Sequence, residues 1–122
     1  VGVTDLKTTK NASPEAFAWQ ALRLGYHVQA GLYLAILDAL APAARVWQWI
    51  VVESKPPHAV AVYQAPEAVV EDGRIRAVQA LKRWKQCEES GLWPSYPAEV
   101  QMLEWPHKRL LSEWSLVEEE DE

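Results

Sequence analysis

Cysteine is almost missing from this 122-residue chain, which carries one, Cys87. A lone thiol closes no internal disulfide, and without a second cysteine a thiolate zinc cluster is excluded. Long apolar runs are missing too. Nothing approaches the roughly 20 uninterrupted apolar residues that a membrane-spanning helix needs, and no basic-then-apolar leader marks the start. The expectation is a cytoplasmic protein without a membrane partner. Internal repeats and a second domain are also lacking, and the length suits one domain able to bury a core. Apolar residues at 49% and charged residues at 24% are ordinary for a globular protein.

Excess positive charge is absent as well. The formal net charge is -5, which at first argues against a nucleic-acid partner. The placement of the charge removes that argument. Residues 118–122 (Glu118, Glu119, Glu120, Asp121, Glu122) form an unbroken acidic run, and the other 12 acidic residues balance the 12 basic ones. The run repels itself and is expected to be a disordered tail, serving solubility or mimicking phosphate. The expected organisation is one truncated domain over 1–117 and a tail over 118–122. The chain opens on Val1-Gly2-Val3 inside an alternating run, where first residues are normally loose. That leads to the expectation that an upstream segment has been removed.

The alternation of Val1, Val3, Asp5 and Lys7 with Gly2, Thr4 and Leu6 predicts a strand with Asp5 and Lys7 on one face. Ser13-Pro14-Glu15 is a helix start, with serine as N-cap, proline at the first helical position and an acid near the positive end. Phe17, Ala18, Leu22 and Trp19 supply its apolar face, and Gly25 closes it. A second helix is predicted over Tyr26–Leu40, with Gln29 and Tyr33 sharing a face. Arg45–Glu53 is apolar on both sides and predicts a strand buried on two faces. Pro56-Pro57 turns the chain, and His58–Tyr63 pairs back as a hairpin. A long helix is predicted from Pro66 to Ser90, closed by Gly91, with Val70, Ala77, Leu81, Trp84 and Cys87 as its buried stripe. Arg76, Lys82, Arg83 and Lys85 form its solvated face. Gly73 costs about 1 kcal/mol in a helix interior, which leaves room for a break or a late start there. Val100–Trp105 reads as a short edge strand. This order predicts an α/β fold, a mixed sheet flanked by helices.

Asp5-Leu6-Lys7 is the chemically suggestive triplet. Phosphodiester hydrolysis needs an activated water and cations that neutralise the attacked phosphate. Magnesium takes oxygen ligands, which a strand carboxylate and a backbone carbonyl supply. A lysine two residues on, on the same face, can orient the water and stabilise developing charge. In isolation this spacing is common, and its bland reading is a surface ion pair.

The triplet does not stand alone. Asp5-Leu6-Lys7-Thr8-Thr9, then Ser13-Pro14-Glu15-Ala16-Phe17, then Tyr26-His27-Val28-Gln29-Ala30-Gly31-Leu32-Tyr33 resemble the RecE exonuclease family (exodeoxyribonuclease VIII and related phage proteins). The likeness continues through Val52–Tyr63, Gly91–Tyr96 and Val100–Pro106. This resemblance implies a partial PD-(D/E)XK (restriction-endonuclease-like) core, the C-terminal half of a Mg- or Mn-dependent exonuclease acting on double-stranded DNA ends. It implies Asp5 as metal ligand, with the Leu6 carbonyl beside it, and Lys7 as the catalytic lysine. Gln29 and Tyr33 would contact the DNA backbone; His27 either joins them or is a structural hydrogen bonder. The family places another metal-binding Asp on a preceding strand, and only four residues precede Asp5 here. The expectation is therefore a weak nuclease or none, unless a second chain or a homo-oligomer completes the site. The competing expectation is an inactive nuclease remnant kept as a phage-encoded protein-binding or inhibitor module.

The remaining conspicuous residues have plain readings. Trp47, Trp49 and Trp84 are expected to pack in the core, and Trp93 and Trp105 to be exposed. Cys87 is expected in the core. His58 and His107 show no metal-ligand spacing. Glu53 is the only other acid near a core strand, and nothing in the resemblance nominates it.

Overall fold

A proline and two glycines punctuate the chain where its elements change. The computed structural model describes residues 1–104. It contains β1 (Gly2–Thr9), α1 (Pro14–Leu24), α2 (Tyr26–Leu40), β2 (Val46–Glu53), β3 (Val60–Gln64) and α3 (Glu67–Ser90). Pro14 opens α1 behind Ser13, whose carbonyl accepts the Phe17 amide at 3.0 Å. The Ser13 hydroxyl makes no cap hydrogen bond, so the N-cap position is filled without the usual side-chain bond. Gly25, at φ 69°, ends α1 and starts α2, a left-handed bend that a Cβ would disfavour.

The sheet has the order β1-β2-β3, with β1 parallel and β3 antiparallel to the central β2. The α1–α2 pair forms the crossover that a parallel pairing demands. Asp5 lies opposite Trp49 and Lys7 opposite Val51, while Trp49 faces Tyr63 across the other ladder. The expected mixed α/β sheet with flanking helices is the one observed. Odd-numbered residues of β2 point into the core: Trp47, Trp49 and Val51 are buried with Phe17 and Ala21 of α1 and Ala30 and Leu34 of α2. Phe17 anchors this cluster, stacked on Tyr63 (centroids 5.6 Å apart) and edge-on to Trp49 (5.7 Å).

Four expectations need correction. β2 is not buried on two faces: across the even-numbered face Leu6, Val46, Val60 and Val62 are exposed and Ile50 and Val52 half-buried. An apolar run announces burial, but the covering layer has to come from elsewhere, and the described helices cover only the other face. On α1 the buried stripe is Phe17 and Ala21, one turn apart, whereas Ala18, Trp19 and Leu22 are exposed. On α3 the buried residues are Gly73, Ala77 and Cys87, and Leu81 and Trp84 are exposed. At 24 residues α3 is about 36 Å long against about 22 Å for the 15-residue α2 it packs on, so α2 covers only part of its length. Val100–Glu104 forms no strand, because its alternation meets no sheet edge; Val100 and Met102 are fully exposed.

Gly73 breaks nothing. The helix runs through it because the missing side chain is what α2 requires: a Cβ there would meet the His27 carbonyl, and one on Gly31 would meet the Arg74 backbone nitrogen. The two glycines let α2 and α3 approach backbone to backbone. Trp93 is exposed as expected, while Trp105, His107 and the acidic 118–122 run lie outside the described residues.

Candidate functional site

β1 presents Asp5, Lys7 and Thr9 on its helix-facing side, each at least half-buried. The Lys7 ammonium sits 2.8 Å from Asp5 Oδ2 and donates a hydrogen bond to Gln29 Oε1 at 2.9 Å. It also lies 4.4 Å from the centroid of the Tyr26 ring, a cation–π contact. Residues 26 and 29 are three apart on α2 and share a face, so one helix turn clasps the lysine from above while β1 offers the carboxylate beside it. Asp5 Oδ2 is buried, yet no donor is aligned on it as a hydrogen bond. Its nearest partner is a charge contact, and it retains lone-pair capacity for another electrophile.

A second layer steadies this arrangement. Gln20 of α1 donates to the Tyr26 hydroxyl (3.2 Å) and to the Thr8 carbonyl (3.3 Å), and accepts from Thr9 Oγ1 at 2.7 Å. The ring beneath Lys7 is thus tied to the end of the strand that carries Lys7. Tyr26, Gln20 and Thr9 were not singled out from the sequence as site residues. The i, i+3 relation of Tyr26 to Gln29 could have nominated the first; nothing local could have nominated Gln20.

The other expected site residues stand apart from this cluster. Tyr33, one turn beyond Gln29, is half-exposed and packs edge-on to Trp47 (centroids 6.0 Å apart) rather than reaching Lys7. His27 is buried, with Nε2 3.2 Å from Asp72 Oδ2 on α3. Asp72 also receives Arg76 Nε at 2.6 Å, and that hydrogen bond, with lesser help from His27, holds its carboxyl below the ordinary aspartate range.

The donor set at Asp5 is one carboxylate with the Leu6 carbonyl next in the chain. Hard oxygens suit a magnesium- or manganese-sized cation, but they supply one side of a coordination sphere. Glu53 cannot complete it: it lies four residues beyond the Asp5-paired Trp49, about 13 Å along the strand. Its Oε1 is already engaged, accepting the Ala12 amide at 2.9 Å. Among the described residues no three His, Cys, Asp or Glu side chains gather into a metal cluster. No described helix is long and apolar enough to cross a membrane.

No curated protein matches the chain. The family model described as a PDDEXK-like domain of unknown function (DUF3799) matches residues 1–105. With that match spanning most of the chain, and with a mixed three-stranded sheet and flanking helices as its fold, the protein belongs to this PDDEXK-like family.

Proposed function

We propose that the chain is the lysine-bearing half of a metal-dependent deoxyribonuclease of RecE type, acting on double-stranded DNA ends by phosphodiester hydrolysis. Membership in a PDDEXK-like family points to nuclease-type chemistry. The observation that carries the finer reading is the half-buried constellation of Asp5, Lys7 and Gln29, in which a cationic donor is held between a carboxylate and an amide oxygen. Lys7 orients the attacking water and meets the charge that develops on the phosphorus-bound oxygens. Gln29 and the Tyr26 ring fix the ammonium so that no reorganisation is needed during attack. Asp5 and the Leu6 carbonyl would hold a magnesium or manganese ion, which when bound supplies charge neutralisation at the scissile phosphate. Tyr33, exposed on the face of α2 that carries Gln29, contacts the DNA backbone, and His27 braces α2 against α3.

The ligand count favours a second reading. One carboxylate at the site and an apolar sheet face left uncovered, both among the described residues, fit a catalytically silent core kept as a protein-binding module. Degradation of linear duplex DNA in magnesium or manganese separates the two. Under the nuclease reading, cleavage occurs and falls by about 100-fold or more in Asp5→Ala and in Lys7→Ala, a second carboxylate being supplied within the assembly. No cleavage, together with no metal binding by calorimetry, refutes it and leaves the silent module.

A further inference from the structure

Beyond the end of β1 the surface opens into a cavity of about 660 Å³ between the strand end and α1. Its walls include Lys10, Arg23, Thr8, Asn11, Gln20 and Trp19. Among the described residues no carboxylate lines it. Outside residues 118–122 the formal charges of the chain cancel, so two cations with no acid among the described lining residues make the groove a local positive patch. Trp19 is 66% exposed, on a helix whose buried stripe has no place for it. Its indole therefore lies in water on the wall that also carries the two cations.

The groove is continuous with the Lys7 cluster. Thr9, on its wall, is the next residue after Lys7 on the same face of β1, roughly 7 Å along the strand. Gln20 links the wall to the Tyr26 ring under Lys7 through its 3.2 Å hydrogen bond. A ligand in the groove therefore lies one side-chain spacing from the proposed reacting lysine.

We infer that this groove binds single-stranded nucleic acid, with a base stacked on Trp19 and backbone phosphates neutralised by Arg23 and Lys10. The inference rests on the nuclease reading for what Lys7 would act on, but not for the binding itself. A flat aromatic face plus guanidinium and ammonium groups is the chemistry that holds a strand without reading its sequence. The polar side chains of Asn11 and Thr8 serve sugar and phosphate oxygens. An acidic peptide would use the two cations but not the indole.

The test is fluorescence anisotropy of a labelled oligothymidylate of about 12 nucleotides with the full chain in EDTA, where cleavage is silent. Lys10, Trp19 and Arg23 are all exposed, so their variants keep the fold, and circular dichroism melts verify this. The double variant Lys10→Ala/Arg23→Ala is expected to bind about tenfold more weakly and to flatten the slope of log affinity against log salt by about 1.4. Trp19→Ala should weaken binding about fivefold or more while Trp19→Phe retains most of it. Binding unchanged within about twofold in these variants overturns the inference. A poly-glutamate peptide competing as well as the oligonucleotide overturns it in favour of an acidic partner. Wild-type protein that binds through the groove but cleaves no DNA defeats the nuclease reading and leaves the groove standing. Normal cleavage with undiminished binding in the groove variants does the reverse.

Discussion

Replacing Gly73 with alanine should lower stability, although helix propensity alone predicts the opposite. In an exposed helix interior the substitution gains about 1 kcal/mol, because alanine gives up less backbone entropy. Here the new methyl would overlap the His27 carbonyl and stand 3.0 Å from the Val28 backbone nitrogen. These are backbone atoms, so no rotamer change relieves them; α2 and α3 must move apart. Separation loosens Ala30 and Ala77, both buried, and overpacking of this kind costs about 3 kcal/mol. The net loss is then about 2 kcal/mol, which for a domain of this size lowers the melting temperature by about 6–10 °C. The shift also moves the α2 turn that carries Gln29, so the hold on Lys7 weakens along with the fold. Thermal melts followed by far-ultraviolet circular dichroism, with urea titration for the free energy, provide the measurement. A variant that melts at or above the wild-type temperature would refute the claim that the two helices meet through this glycine.

Two further outcomes follow from the site and its surroundings. Gln29→Ala should cut the nuclease rate about tenfold while costing only about 1 kcal/mol of stability, since it removes one half-buried hydrogen bond to Lys7; equal loss of rate and fold, seen in parallel melts and kinetics, would reduce Gln29 to a packing residue. Acid should destabilise α3 and, to a lesser degree, its junction with α2: Asp72 is depressed by its Arg76 hydrogen bond within α3 and further by His27 of α2, so its contribution is present above the ordinary aspartate pKa of about 3.9 and is lost as pH falls through the depressed value. Melting temperatures between neutral and acidic pH should show that loss in the wild type and less of it in Arg76→Ala; identical profiles would remove Asp72 from the account.

Much of the fold was readable because its boundaries are local chemistry. Pro14 can open a helix and cannot continue a strand, Gly25 bends left-handed, and the β-branched and aromatic run of β2 suits a pleated strand. What could not be read was which faces would find a cover. Leu6, Val46, Val60 and Val62 on one sheet face and Leu81 and Trp84 on α3 are apolar in sequence and exposed in structure, because burial is a property of the neighbour as much as of the residue. Gly73 shows the same limit from the other side: its helix cost was legible, while the helix that approaches it is set by Gly31, 42 positions earlier in the chain.

The candidate site divides along the same line. Asp5 and Lys7 are two residues apart on a strand, so their shared face is fixed by period two alone, and their contact at 2.8 Å needed only the strand to form. Gln29 lies 22 residues from Lys7 and meets it only because α1 and α2 fold back over β1. Its spacing to Tyr33 suggested that those two would act together, yet a helix row is long enough for its members to serve different neighbours. Gln29 serves the lysine and Tyr33 serves Trp47. Tyr26, on the same turn as Gln29, is the side chain that completes the clasp, and its hydroxyl is held by Gln20 from a third element. A lysine clasped by a strand carboxylate, a helix amide and an aromatic ring is specified by three segments at once. The sequence can state the residue types in each, but only the crossover brings them within reach.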